Sequence, residues 1–256
     1  MKQTIKTFLL VAFLSLPASV WAQFDRSDDM GLWSTVGAEK ELSRKLTVGM
    51  EAECRLRNDM KTQERWSLEL NGAYQLGKYV KLGAGYKFIR DNRRDSWEFH
   101  DAEETDLQEF RPAYWVTKHR LYLDGTGKLK VNHWEFSLRE RVEYTYRPEH
   151  TAQHYYYDDD QWVTETESGE GEYELRSRFQ VKYGKEGCPW KPHASVEFYN
   201  DWDLDKIRYT VGVDYSLAKR HTLGAFYRFV NERDRDPGET DDPNEHVIGL
   251  SYKIKL

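Results

Sequence analysis

Beyond its first 22 residues the chain has no long apolar run. Mean hydropathy is −0.87 and charged residues make up 32% of the chain. Together these exclude helical membrane spans, which need about 20 consecutive apolar residues. Cysteine is scarce. Cys54 and Cys188 are the two present and no CxxC occurs, so a thiolate metal centre is excluded. One disulfide is the most they can form, and Cys54 falls on an apolar strand face while Cys188 lies in a Gly/Pro-rich turn, two different environments. A basic surplus is also missing. Without Lys2 and Lys6 of the N-terminal segment, 36 basic and 44 acidic residues leave the chain near −8. General nucleic-acid binding needs the opposite sign.

The N-terminal apolar segment has a specific grammar. Lys2 and Lys6 give a positive start, Phe8–Leu16 is a short apolar core, Pro17 breaks it, and Ala18, Val20 and Ala22 lead to an S-V-W-A end. The core is too short to span a bilayer as a helix. The segment 1–22 reads as a secretory signal peptide cleaved after Ala22, leaving 23–256 as one domain.

That domain is written in alternation. The stretch His119–Arg147 is the clearest example. Trp134, Phe136, Leu138, Val142, Tyr144 and Tyr146 occupy even positions, and Glu135, Arg139, Arg141, Glu143 and Arg147 occupy odd ones. Successive side chains of a strand point to opposite faces, so one face is apolar and the other charged. A hairpin turns near Lys130. The same grammar recurs in 31–42, 45–57, 65–76, 79–90, 172–183, 192–199, 206–217, 221–230 and 245–256. Strands of about ten residues span a bilayer when tilted.

The connections alternate as well. Short links near residues 43, 77, 130 and 219 interleave with long polar stretches, Asp91–Glu109, Pro148–Gly171 and Asn231–Asn244, which read as exposed loops. Short turns at one end and long loops at the other are the pattern of an outer-membrane barrel. Eleven strands are visible. Single-chain bacterial barrels carry an even number, so the expectation is an all-β, antiparallel up-and-down transmembrane barrel of about twelve strands, with ten as the fallback. In the last strand Ile248, Leu250, Tyr252, Ile254 and Leu256 share one face. It resembles the C-terminal strand by which outer-membrane barrels meet the barrel-assembly machinery, which implies that 246–256 is that contact. Those strands most often end in an aromatic; this one ends in Leu256.

GLWSTVGAEKEL at 31–42, LGAGYKFIR at 82–90, HRLYLDGTGKL at 119–129 and EFSLRERVEY at 135–144 carry a family likeness. In them the chain resembles the outer-membrane β-barrel family known as domain of unknown function 2490, common in Bacteroidota. The likeness covers nearly all of 23–256. It implies an outer-membrane location in a Gram-negative bacterium and contact with lipid and lipopolysaccharide. It brings no established activity and no catalytic residues.

The candidate site is the inward face. Glu51, Glu53, Arg55 and Arg57 lie on one strand and Arg65 and Glu69 on the next; Arg139, Arg141 and Glu143 lie on the central hairpin, with Glu174, Arg176 and Arg178 on the strand after it. Neighbouring strands are expected to bring opposite charges together, as ladders that fill and stiffen a narrow lumen or as a constriction that selects small solutes. No cofactor and no metal site are expected: Asp158-Asp159-Asp160 and Asp241-Asp242 lack the spacing of a calcium loop. Tyr155-Tyr156-Tyr157 reads as a membrane-boundary mark. The leading function is a non-enzymatic outer-membrane barrel, structural or binding, or a narrow pore. The alternative is a barrel hydrolase at the extracellular rim using His100, His119, His150, His154 or His246, for which no nucleophile spacing stands out. A soluble lipid-carrying barrel would reverse the two faces.

Overall fold

The structure is a computed structural model that describes residues 29–100, 106–201, 203–232 and 244–256. Residues 1–28, which include the segment read as a signal peptide, and most of the stretch 231–244 lie outside the described residues. Fifteen strands are present among those described: β1 Asp29–Glu41, β2 Leu46–Arg57, β3 Thr62–Gln75, β4 Val80–Asn92, β5 Ser96–Phe99, β6 Leu107–Arg111, β7 Trp115–Val131 and β8 Trp134–Arg147, then β9 His150–Tyr156, β10 Gln161–Glu167, β11 Glu170–Tyr183, β12 Trp190–Asp201, β13 Asp203–Ala218, β14 His221–Glu232 and β15 Glu245–Lys255.

Eleven of them close into a barrel in the order β1-β15-β14-β13-β12-β11-β8-β7-β4-β3-β2. These are the eleven segments whose alternation is legible in the sequence. Every neighbouring pair is antiparallel except one. β1 and β15 pair in parallel, from Asp29 with Glu245 to Glu39 with Lys255. The even count expected from antiparallel closure is therefore replaced by eleven strands and a parallel seam.

The outward face is apolar, as lipid requires of a surface that cannot bond to water. On β8, Trp134, Leu138 and Val142 are about half exposed, at 48%, 52% and 53%. Aromatic pairs bracket this band. Trp134 with Tyr183 and Trp190 with Tyr215 lie near the short turns, at centroid distances of 5.1 and 4.4 Å. Tyr144 with Tyr173 and Trp66 with Phe88 lie toward the long connections, at 4.8 and 5.5 Å. Two such girdles mark the two interfaces of a membrane.

The long stretches 91–109 and 148–171 are not loops in their described parts. They fold into a four-stranded sheet, β10-β9-β6-β5, which extends the wall formed by β11, β8, β7 and β4 beyond the membrane. Alternation explains how such polar segments form a sheet. One face collects Trp97, Phe110, Tyr155 and Trp162, in contact at 5.1 to 6.4 Å. The other collects Glu98, Glu109, Arg111, His154 and Glu165. The three consecutive tyrosines are thereby split between faces. Tyr155 joins the aromatic side, while Tyr156 donates to Glu165 at 2.7 Å on the polar side.

Candidate functional site: the charged lumen

The inward faces of the barrel strands enclose a cavity of about 1540 Å³. All eleven residues singled out from the sequence line it: Glu51, Glu53, Arg55, Arg57, Glu69, Arg139, Arg141, Glu143, Glu174, Arg176 and Arg178.

Their pairing follows the expected ladders only in part. Directly across the strand register, like charge faces like: Glu51 opposes Glu69 and Arg55 opposes Arg65, and Arg139 opposes Arg178, Arg141 opposes Arg176 and Glu143 opposes Glu174. Such pairs are unfavourable on an open sheet. Here the long side chains lean along the tilted strands and over the neighbour. Arg176 reaches diagonally to Glu143 at 2.8 Å. Arg139 passes over β11 to Glu197 on β12 at 2.5 Å. Lys87 on β4 passes over β3 to Glu53 at 3.4 Å. Opposite charges thus meet one residue pair along or one strand over, and directly across the register where Asp124 faces Arg141 and Asp91 faces Arg65.

Glu143 is the centre of this belt. It is 1% exposed and takes Arg120 at 2.8 Å, Arg141 at 3.4 Å and Arg176 at 2.8 Å. Arg141 also holds Asp124 at 2.9 Å. Nearer the outer end, Asp91 joins Arg65 at 2.7 Å and Lys118 at 2.9 Å. Of the predicted residues, Glu51, Glu174 and Arg178 have no ion pair or hydrogen bond to another described side chain, and one oxygen of Glu174 is buried without a donor.

Aromatic rings organise the rest, and these the alternation alone did not single out. Tyr122 lies over Gly85 in the space a Cβ would fill, which lets its hydroxyl reach past β4 to donate to Glu69 at 2.6 Å. The guanidinium of Arg141 stacks on the same ring at 3.7 Å. Phe226 likewise lies across Gly249. The indole of Trp33 is ringed by Arg55, Arg208 and Arg228 at 3.7, 5.3 and 4.7 Å. Tyr199, 2% exposed, accepts from Arg176 at 2.6 Å and from Arg208, and donates to Glu197 at 2.9 Å. The signal for Trp33 and Tyr122 was available: both break their strand's rule that aromatics point outward.

The cavity continues outward beneath the polar face of the outer sheet, where Ser96, Arg111, Tyr114 and Glu167 line it. There Arg111 holds Glu98 and Glu109 at 2.7 Å each, and buried His154 bonds Glu109. Burial pushes the Glu109 carboxyl up, but the hydrogen bonds from Arg111 and His154 outweigh it and hold the group below the usual carboxylate range. The hydrogen bond to Glu165 pushes the Tyr156 phenol up to about 12. The other candidate histidines are occupied elsewhere: His100 contacts Asp158 at 3.1 Å, His119 contacts Tyr86 at 2.7 Å, His246 contacts Tyr227 at 2.6 Å, and His150 stacks on Tyr114 at 5.4 Å. Cys54 and Cys188 are both free thiols.

A closed barrel with an apolar belt, two aromatic girdles and a charged interior defines a transmembrane β-barrel of the outer-membrane type. The translocator domain of the autotransporter NalP from Neisseria meningitidis shares this fold, at 12% identity and a TM-score of 0.55, over 93% of each chain. The β-domain of the Bordetella autotransporter BrkA is also similar, at 13% identity and a TM-score of 0.43, over 81% of this chain and 78% of that one. No curated protein matches the chain. The family model described as "Protein of unknown function (DUF2490)" matches residues 30–240, and the chain belongs to that family.

Proposed function

We propose that this protein is a non-enzymatic outer-membrane barrel whose lumen is a narrow pore gated by its own Arg–carboxylate belt. One observation carries the reading: a polar cavity of about 1540 Å³ is lined at mid-depth by ion pairs that run along its wall and narrow it, Arg139 to Glu197 and Arg176 to Glu143. A barrel of this strand number leaves little open space once long side chains point inward. Charged rings of that kind set which solutes pass.

Planar bilayers test it. The purified barrel is expected to give small, discrete conductance steps. Replacing Arg139 and Arg141 together by Ala should raise the single-channel conductance severalfold, because it removes the reach to Glu197 and Asp124. Unchanged conductance in that variant would refute the belt as the constriction, and a silent wild-type barrel would refute the pore.

A further inference from the structure

We propose that the lumen selects small anions, carboxylates or oxoanions, and that Arg178 and Arg228 are the groups that take them. For transport this deepens the pore reading above and rests on it; for binding it stands alone.

The chain as a whole is acidic, with 44 Asp and Glu against 38 Lys and Arg. Its lumen has the opposite sign. Among the described residues twenty-one Lys and Arg line the cavity against sixteen Asp and Glu; Arg94, Arg111 and Lys182 are held by carboxylates outside that lining, Asp29, Glu98 with Glu109, and Asp214, and the other eighteen cations still outnumber the sixteen carboxylates. In a low-dielectric wall such a surplus focuses a positive potential along the path and concentrates anions there.

The surplus is not evenly spread. On the β2–β4 side Arg65, Lys87 and Arg55 each have a carboxylate within 4.0 Å. On the β7–β12 side three carboxylates, Asp124, Glu143 and Glu197, serve Arg120, Arg139, Arg141 and Arg176. That leaves Arg178, which has no ion pair or hydrogen bond to a described residue although it opposes Arg139 and Glu197 in the register. Arg228 donates to the hydroxyl of Thr210 at 2.9 Å and lies over the rings of Trp33 and Phe226 at 4.7 and 4.9 Å, without an ion pair to a described carboxylate. On β8 and β11, beside Arg178, the Nε–H groups of Arg139, Arg141 and Arg176 are buried and have no acceptor among the described residues. Buried donors of this kind are costly to leave unmade. A carboxylate or oxoanion supplies several acceptor oxygens in the planar geometry that guanidinium groups favour.

The test uses the full barrel. In a bilayer with a tenfold KCl gradient, the reversal potential should show chloride more permeant than potassium. Arg178→Gln with Arg228→Gln should lower that ratio at least severalfold. A cation-selective wild type, or an unchanged ratio in the variant, overturns the proposal while leaving the pore reading intact. A silent barrel overturns the pore reading, and the binding claim is then read separately. Inorganic phosphate titrated with the micelle-embedded barrel should show a broadened phosphorus resonance at constant ionic strength, lost in the double variant. No broadening with wild type, or equal broadening with both, overturns it.

Discussion

Two carboxylates on β8, three residues apart, show how much the face decides. Glu143 points inward, where Arg120, Arg141 and Arg176 meet it. Removing one partner of a buried ion cluster leaves the others uncompensated and typically costs about 3–5 kcal/mol. Glu143→Gln is therefore expected to lower the stability of the detergent-folded barrel by that order, measured by urea unfolding; a loss below about 1 kcal/mol would mean that Asp124 and Glu197, which also hold Arg141 and Arg176, compensate for its charge. Glu140 is the break in the strand's alternation. It shares the outward face with Leu138 and Val142, midway between the Trp134 and Tyr144 girdles, and its carboxylate accepts from Ser177 at 2.5 Å. Gly125 stands directly opposite it on β7. An acidic group on a lipid face is unfavourable, less so than a basic one. Glu140→Leu should stabilise the barrel in lipid by about 1 kcal/mol. Destabilisation instead would show that the Glu140–Ser177 pair is needed for the wall. Nothing in the strand-averaged pattern of 134–147 distinguishes these two glutamates except parity, and parity was enough.

At the scale of elements, the barrel strands were legible and the outer sheet was not. The eleven barrel segments announce themselves because one face meets lipid and must be apolar, so each alternates in full. β5, β6, β9 and β10 are short and meet water on both sides, so nothing forces a clean apolar face; their pairing depends on each other, across about 50 residues of chain, as in Glu109 with Tyr156. The lumen residues were legible for the same reason as the strands, but their partners were not. Pairing depends on how far a side chain leans over its neighbour, and glycines such as Gly85 decide that. The outer sheet carries a pH prediction. Glu109 is held below the usual carboxylate range by Arg111 and His154. A depressed folded-state value stabilises the folded form above the unfolded value of about 4.3, and this contribution is lost as pH falls through the folded value. Pepsin should therefore nick the 96–111 and 150–167 hairpins increasingly as pH drops below about 4, while the barrel remains intact. In Glu109→Gln the hairpins should be open to protease already at neutral pH, with a flatter dependence. A wild-type profile that is flat down to pH 2 would rule this contribution out.

For the whole molecule, closure follows from direction. β1 and β15 both run from the end with the long connections toward the end with the short turns. Strands that run the same way can meet only in parallel, so an odd count and a parallel seam are one fact. The alternation gave each strand's faces and direction, yet it carried no information on which partner closes the ring, because antiparallel closure through a twelfth strand and parallel closure between the ends present the same faces to lipid. The register distinguishes them. Thr35 on β1 is partnered with Ser251 on β15, and adjacent strands lie about 4.8 Å apart, inside the range a disulfide spans. Thr35→Cys with Ser251→Cys, in a background where Cys54 and Cys188 are replaced by Ala, should cross-link on oxidation and shift the unfolded band on a non-reducing gel. Thr35→Cys with Val247→Cys, four residues out of register, should not. A folded Thr35/Ser251 variant that fails to cross-link would mean that another strand stands between β1 and β15. The seam matters beyond topology, because parallel pairing is slightly weaker per residue than antiparallel. If β1–β15 is the weakest joint of the wall, the cross-linked barrel should also resist urea better than its reduced form.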